Sequence, residues 1–173
     1  RRWSRRARAP RLPSAPARRG PGLDDRVASA LPGSKPHVQG RRASRDDIER
    51  LNLSTNAHVI DIQRVRDLGG KPVISEHITL AAKRFPSLAQ EDDPPNELYQ
   101  FYEQRFGMTV HRAVEQLRAI AAGAWEAEHL GVKRGAPLLE INRIAETVDG
   151  TPIEWRRSRC DTRNHQYLRE ILK

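Results

Sequence analysis

The sequence is poor in cysteine, methionine and aromatic residues: it has one Cys, one Met and three each of Trp, Tyr and Phe in 173 residues. A single thiol, Cys160, excludes an intramolecular disulfide framework and fits a reducing compartment. It has no base partner in the sequence and reads as a packing residue. No apolar run approaches the ~20 residues that cross a bilayer. The Arg-rich start is followed by no apolar segment of the kind a signal peptide needs, so the expected location is the cytoplasm, without a membrane contact. Phosphate-cradling glycine loops, a G-x-S-x-G elbow and H-E-x-x-H are all missing. The six histidines are scattered, and the single E-x-x-H, Glu126 to His129, lacks the further ligands a metal site requires. Neither a metal nor a cofactor is expected.

What the chain does have is charge, unevenly placed. Residues 1–36 hold ten Lys or Arg against two Asp, together with six of the twelve prolines. Residues 37–173 hold 21 basic and 20 acidic residues. The high isoelectric point therefore belongs to a tail. Prolines at 10, 13, 16 and 21 interrupt any helix there, so 1–36 is expected to be a disordered or extended segment outside the fold. An arginine-rich arm of this kind is simply solvated, is non-native sequence, or binds nucleic acid through phosphates.

From residue 37 onward, short elements alternate with clear punctuation. Ser44 and Asp47 predict a capped helix through "RDDIERLNL". "AHVIDIQRVRDL" and "KPVISEHITL" are β-branched, alternating runs joined by Gly69-Gly70, a hairpin signal. Asn96 is expected to cap a helix through "NELYQFYEQRF", stopped by Gly107. A long strand is predicted over 108–120 and a helix over 123–130, closed by Gly131. "LLEINRIAETV" and "TPIEWRRSRC" flank Asp149-Gly150, read as a type I′ hairpin, and a last short helix is expected around "HQYLREIL". Hairpins with local connections and a few helices make the class α+β.

The segment "RVRDLGGKPVISE" places two arginines two residues apart, on one side of a strand. A two-residue Gly-Gly turn would pair Gln63 with Glu76 and put Glu76 on the other face; a bulge or a longer loop would bring it to Arg64 and Arg66. The charged residues could be cross-strand ion pairs, or they could line a pocket for an anion. There is also an internal echo. "IQRVRDLGGKPVISE" and "INRIAETVDGTPIEW" share Ile, an Arg two residues later and Gly-x-Pro, about eighty residues apart, which predicts two similar hairpins in one sheet.

In that order, "RVRDLGGKPVISEHITL", "FPSLAQED", "ELYQFYEQRFGMTVHRAVEQLRAI" and "AEHLGVKRGAPLLEINRIAETVDGTPIEWRRSRC" resemble the UTRA domain. This is the effector-binding and dimerisation module of HutC-type GntR transcription regulators, and the likeness spans 37–172. The resemblance implies a chorismate-lyase-like α+β sheet with flanking helices, a homodimer and a small-molecule effector. It also implies operator DNA contacted through a winged helix-turn-helix, which these residues do not contain. By the same resemblance the effector-binding residues are Arg64, Arg66, Glu76, Tyr99 and Glu154, with no catalytic residues. Glu97 stands where many members have Ser or Thr, and Cys160 where sugar-phosphate responders tend to have Tyr, so a carboxylate or zwitterion is favoured over a sugar phosphate. A chorismate-lyase-like enzyme and a nucleic-acid-binding protein acting through its tail are the alternatives. Mutation of the arginines is expected to leave stability almost unchanged.

Overall fold

The computed structural model describes residues 29–30 and 35–167. Most of 1–36, and the C-terminal part of the helix expected around "HQYLREIL", lie outside them; His165 to Tyr167 are not helical. The fold is α+β, built on one sheet of seven antiparallel strands. The strands are β1 (Ser29–Ala30), β2 (His37–Arg42), β3 (His58–Leu68), β4 (Lys71–Ala81), β5 (Arg112–Ala121), β6 (Pro137–Glu146) and β7 (Pro152–Cys160). Their order is β1-β3-β4-β7-β6-β5, with β2 also paired to β3. The backbone of β1 belongs to the segment expected outside the fold, yet pairs Ser29 with Asp67 and Ala30 with Arg66.

Among the described residues three α-helices flank the sheet: α1 (Arg45–Leu51), α2 (Leu98–Phe106) and α3 (Ala124–Leu130). The capping box at Ser44 and Asp47 forms. Helix α1 ends at Leu51, earlier than its apolar pattern suggests, because Asn52 turns left-handed at φ 49°. At α2 the cap is Glu97, without a side-chain bond, and not Asn96. Strand β5 starts at Arg112, not at 108.

Helix α2 covers one face of the sheet, where Leu98 and Tyr102 pack with Ile60, Ile62, Ile78, Leu80, Phe85 and Leu88. On the opposite face Leu51 of α1 packs with Val59 and Trp155, and Leu130 of α3 with Val65 and Leu138. The α2 face is therefore half apolar core. The rest of it is charged.

Both long hairpins carry a bulge at corresponding places. In β3–β4 Arg66 pairs with Ile74 and Asp67 with Pro72, so Val73 is the extra residue and Arg64 faces Glu76. Of the two registers open to the sequence, the bulged one forms. In β6–β7 the shift falls between Ala145 and Glu146. The turns differ. Gly69 and Gly70 both have positive φ, 64° and 79°, as a type I′ turn requires. At the second turn only Gly150 does, at 78°, and Thr147 N–H donates to Thr151 C=O. That corrects the type I′ expectation: the connection is a three-residue loop ending in a left-handed glycine.

Candidate functional site

Strand alternation and the bulge place Arg64 and Arg66 of β3, Glu76 of β4, Glu154, Arg156 and Ser158 of β7, Arg143 of β6 and Glu115 of β5 on the α2 face. The four arginines, Glu76 and Glu154 are all buried. Arg64 Nε donates to Glu76 Oε2 at 2.6 Å, and Ser158 Oγ donates to Glu76 Oε1 at 3.0 Å. Arg66 Nη1 and Arg156 Nη1 each stand 3.8 Å from Glu76 Oε1. Arg156 then grips Glu154 with two parallel bonds, Nε to Oε1 at 2.9 Å and Nη2 to Oε2 at 3.0 Å, the fork geometry that fixes a carboxylate.

Helix α2 closes the cluster with tyrosines. Tyr99 Oη donates to Glu154 Oε1 at 3.1 Å and Tyr102 Oη to Oε2 at 2.9 Å. The Arg156 guanidinium lies 5.1 Å over the Tyr99 ring. Arg143 Nη1 donates to Tyr99 Oη at 3.3 Å, and its Nε donates to Glu115 Oε1 at 2.7 Å. From the C-terminal segment, Tyr167 Oη donates to Glu115 Oε2 at 2.6 Å. The loop before α2 enters through the Asn96 carbonyl, which accepts from Arg64 Nη1 at 3.1 Å.

All five residues singled out from the sequence thus meet in one network, running from Tyr99 through Glu154, Arg156 and Glu76 to Arg64 and Arg66. Arg143, Arg156, Ser158, Glu115 and Tyr102 belong to it and were missed. The internal echo already aligned Arg143 with Arg64, and alternation in "PIEWRRSRC" put Arg156 on the face of Glu154. Nothing local marked Glu115, which depends on the β5–β6 register. Glu97 is exposed at the helix start and Cys160 flanks the cluster next to Ile74. Burial and then the charge of Glu76 push the Cys160 thiol up to about 12, so it is not a ready nucleophile.

Burial alone would raise the Glu76 carboxyl; Arg64, Arg156 and Arg66 outweigh it and hold the group well below the usual carboxylate range. Tyr99 and Tyr102 are pushed up by burial and by Glu154, so both hydroxyls stay donors. Arg64 Nη2, buried, finds no hydrogen-bond partner among the described residues. Among the described residues four guanidinium groups face three carboxylates. Such an arrangement can hold an anion, and the described residues contain no grouping of metal ligands.

A family model, the UTRA domain, matches residues 37–166. Among solved structures, the ligand-binding domain of a candidate GntR-family transcriptional regulator from Bordetella bronchiseptica is 30% identical, with TM-score 0.71 over 81% of this chain and 91% of that one. The effector domain of PhnF from Mycobacterium smegmatis shares the fold, with TM-score 0.73, 24% identity, and coverage of 82% and 88%. The probable fructoselysine utilization operon transcriptional repressor of Escherichia coli is 25% identical over 115 residues, 66% of this chain and 47% of the relative. The chain spans about half the length of the curated relatives it matches.

Proposed function

This chain belongs to the UTRA domain family, and from that premise we propose that it senses a small anionic or zwitterionic metabolite for a transcription regulator. The anionic group lies on Arg64 and Arg66, with Arg156 and Arg143 beside them. Glu76, Glu154 and Tyr99 accept from, or donate to, the ligand's polar remainder. The observation that carries this reading is the unpartnered Arg64 Nη2 in a buried patch where four guanidinium groups converge. Replacing a buried ion-pair network with apolar residues is often neutral or stabilising, so such a cluster is a poor device for stability alone.

The site is closed. Entry of a ligand displaces the Asn96 carbonyl from Arg64 and swings the start of α2, the element that also holds Tyr99. Glu97 at that opening disfavours a phosphate, which leaves a carboxylate or zwitterion as the preferred class. The regulator works in the cytoplasm as a homodimer, and ligand binding shifts its geometry and so the fit of attached DNA readers to an operator. Strand β5 ends the sheet and carries exposed Val114 and Leu117, so it is the proposed dimer edge. Sedimentation at micromolar concentration should give a dimer that Leu117→Glu dissociates; a parent monomer contradicts this part.

The test of ligand class is a thermal-shift screen of carboxylates, amino acids and sugar phosphates. A ligand at 100 times its Kd stabilises by about 2.7 kcal/mol. A carboxylate or zwitterion should raise the melting temperature of the parent and not that of Arg64→Lys. Hits confined to sugar phosphates would overturn the class, and hits indifferent to Arg64 would overturn the site.

A further inference from the structure

The other face of the sheet is open where the α2 face is closed. Beneath α3 lies a cavity of about 160 Å³ walled by Gln63, Ser75, His77, Trp125, Glu126, Arg157 and Arg159. A second, of about 350 Å³, is lined by Asp46 and Arg50 of α1, by Arg118, Glu140 and Asn142, and by Trp155 among others. Arg157 lines both.

The guanidinium groups here are not equally compensated. Arg159 pairs with Glu126 and, at 3.0 Å, with Glu140; Arg118 also pairs with Glu140, at 2.6 Å. Arg157 makes no ion pair with any described residue. Its Nη2 donates to His77 Nδ1 at 2.6 Å, and its guanidinium lies 4.5 Å from the centre of the Trp155 ring. Accepting that bond leaves Nδ1 unprotonated, so His77 carries its proton on Nε2, 3.3 Å from Asp61 Oδ1. His77 therefore orients Arg157 without neutralising it. Arg50 lies 4.6 Å from the same indole and likewise makes no ion pair with a described residue. Two guanidinium groups thus share one ring, and the carboxylates of Glu140, Asp61 and Asp47 act on Arg157 without forming an ion pair with it. Burial and then the charge of Arg159 push the Arg157 pKa down and outweigh the opposing carboxylates of Glu140, Asp61 and Asp47, which marks a cation that an incoming anion would relieve.

We propose that this cleft is a second anion site, distinct from the charge cluster under α2, in which Arg157 receives a compact oxyanion such as phosphate or a phosphomonoester head. The cavity is about half the ~300 Å³ of the smallest ordinary ligand clefts, which restricts the part beside His77 to the oxyanion itself. A larger ligand extends into the neighbouring groove beside Arg50 and Asn142. Arg157 meets the anion with its free edge, while the edge bonded to His77 stays fixed.

The two faces can be read separately in a full chain carrying Trp3→Phe, because the remaining tryptophans, Trp125 and Trp155, both belong to this one. The full chain is titrated with inorganic phosphate at constant ionic strength, with chloride as the balancing salt, and tryptophan fluorescence is followed. The expected result is a saturable change, within twofold of the parent in Arg64→Lys and weakened at least tenfold in Arg157→Gln. A parallel titration with glycerol 3-phosphate distinguishes the free ion from a phosphomonoester: tighter binding extends the ligand into the groove, and equal or weaker binding confines it to the free ion. Should Arg157→Gln lose its fold by circular dichroism, Arg50→Gln at an exposed position supplies the comparison, with a several-fold loss expected. A linear response that chloride reproduces overturns the site. So does phosphate affinity that follows Arg64 and ignores Arg157 and Arg50.

Discussion

The β3–β4 and β6–β7 hairpins are two versions of one design, and their differences locate the chemistry. Each has Ile then Arg two residues on, a bulge next to the turn, and a left-handed glycine before x-Pro. The equivalent arginines, Arg64 and Arg143, both reach the α2 face. Arg64 meets Glu76 within its own hairpin, whereas Arg143 reaches across to Glu115 of the edge strand. The first hairpin adds a second arginine, Arg66, where the second has Ala145. The second adds Glu154 and Arg156, gripping each other on one strand. A repeat thus supplies the frame, and unmatched positions supply the charges that would hold a ligand.

The largest difference should appear on removing the carboxylate of each hairpin's arginine. Glu76→Ala leaves three guanidinium groups around a buried void and should cost about 3–5 kcal/mol in urea unfolding, the usual penalty for breaking a buried ion pair. Glu115→Ala, at the more accessible edge, should cost less than half of that. Equal losses would mean that the hairpins are electrostatically alike. The expectation that the arginines are dispensable for stability is corrected by the same burial: Arg64→Ala removes the nearest cation of Glu76 and leaves Ser158, Arg66 and Arg156 to hold it, and should destabilise by a somewhat smaller amount.

A smaller effect follows acidification. Glu76 has a lowered pKa in the folded protein, so its contribution is present above the unfolded value of about 4.3 and is lost as pH falls towards the folded one. Asp61, beneath His77, behaves likewise. Burial raises its pKa, but His77, Arg41 and Thr79 bring it to about 2, so its contribution is lost between about pH 4 and 2. Thermal melts from pH 7 to 2 should fall less steeply below pH 4 in Glu76→Gln than in the parent. Parallel slopes would remove Glu76 from the account. The smallest effects lie in the turns. Gly70→Ala and Gly150→Ala should each cost about 1 kcal/mol, because both residues have φ near 80° with open space around an added Cβ. A neutral Gly150→Ala would show that the longer second loop relaxes where the type I′ turn cannot.

Much of this was legible from residues alone. Alternation found the strands of both hairpins, Ser44 and Asp47 the first helix, and Gly107 and Gly131 the ends of the next two. The bulge was less accessible, since "GGKPV" is compatible with two registers and only the packing of Arg64 and Glu76 under α2 selects one. The start of β5 was misplaced because Met108 and Val110 look strand-like but pack beside α2. Glu115 and Tyr167 joined the cluster through pairings that no local pattern encodes. Cys160 was read correctly as a packed residue, by the lack of any base in sequence.

The central claim is that the buried arginines of β3 hold an effector's anionic group, and calorimetry with the ligand returned by the screen tests it most directly. Arg64→Lys and Arg66→Lys keep the charge that Glu76 needs while removing the guanidinium fork. Loss of one charge-assisted contact should cost about 1.5 to 3 kcal/mol, roughly ten- to a hundredfold in Kd. The account predicts that loss in both variants with the fold intact. Both folded variants binding as tightly as the parent would contradict it and leave "RVRDLGGKPVISE" as a structural ion-pair segment.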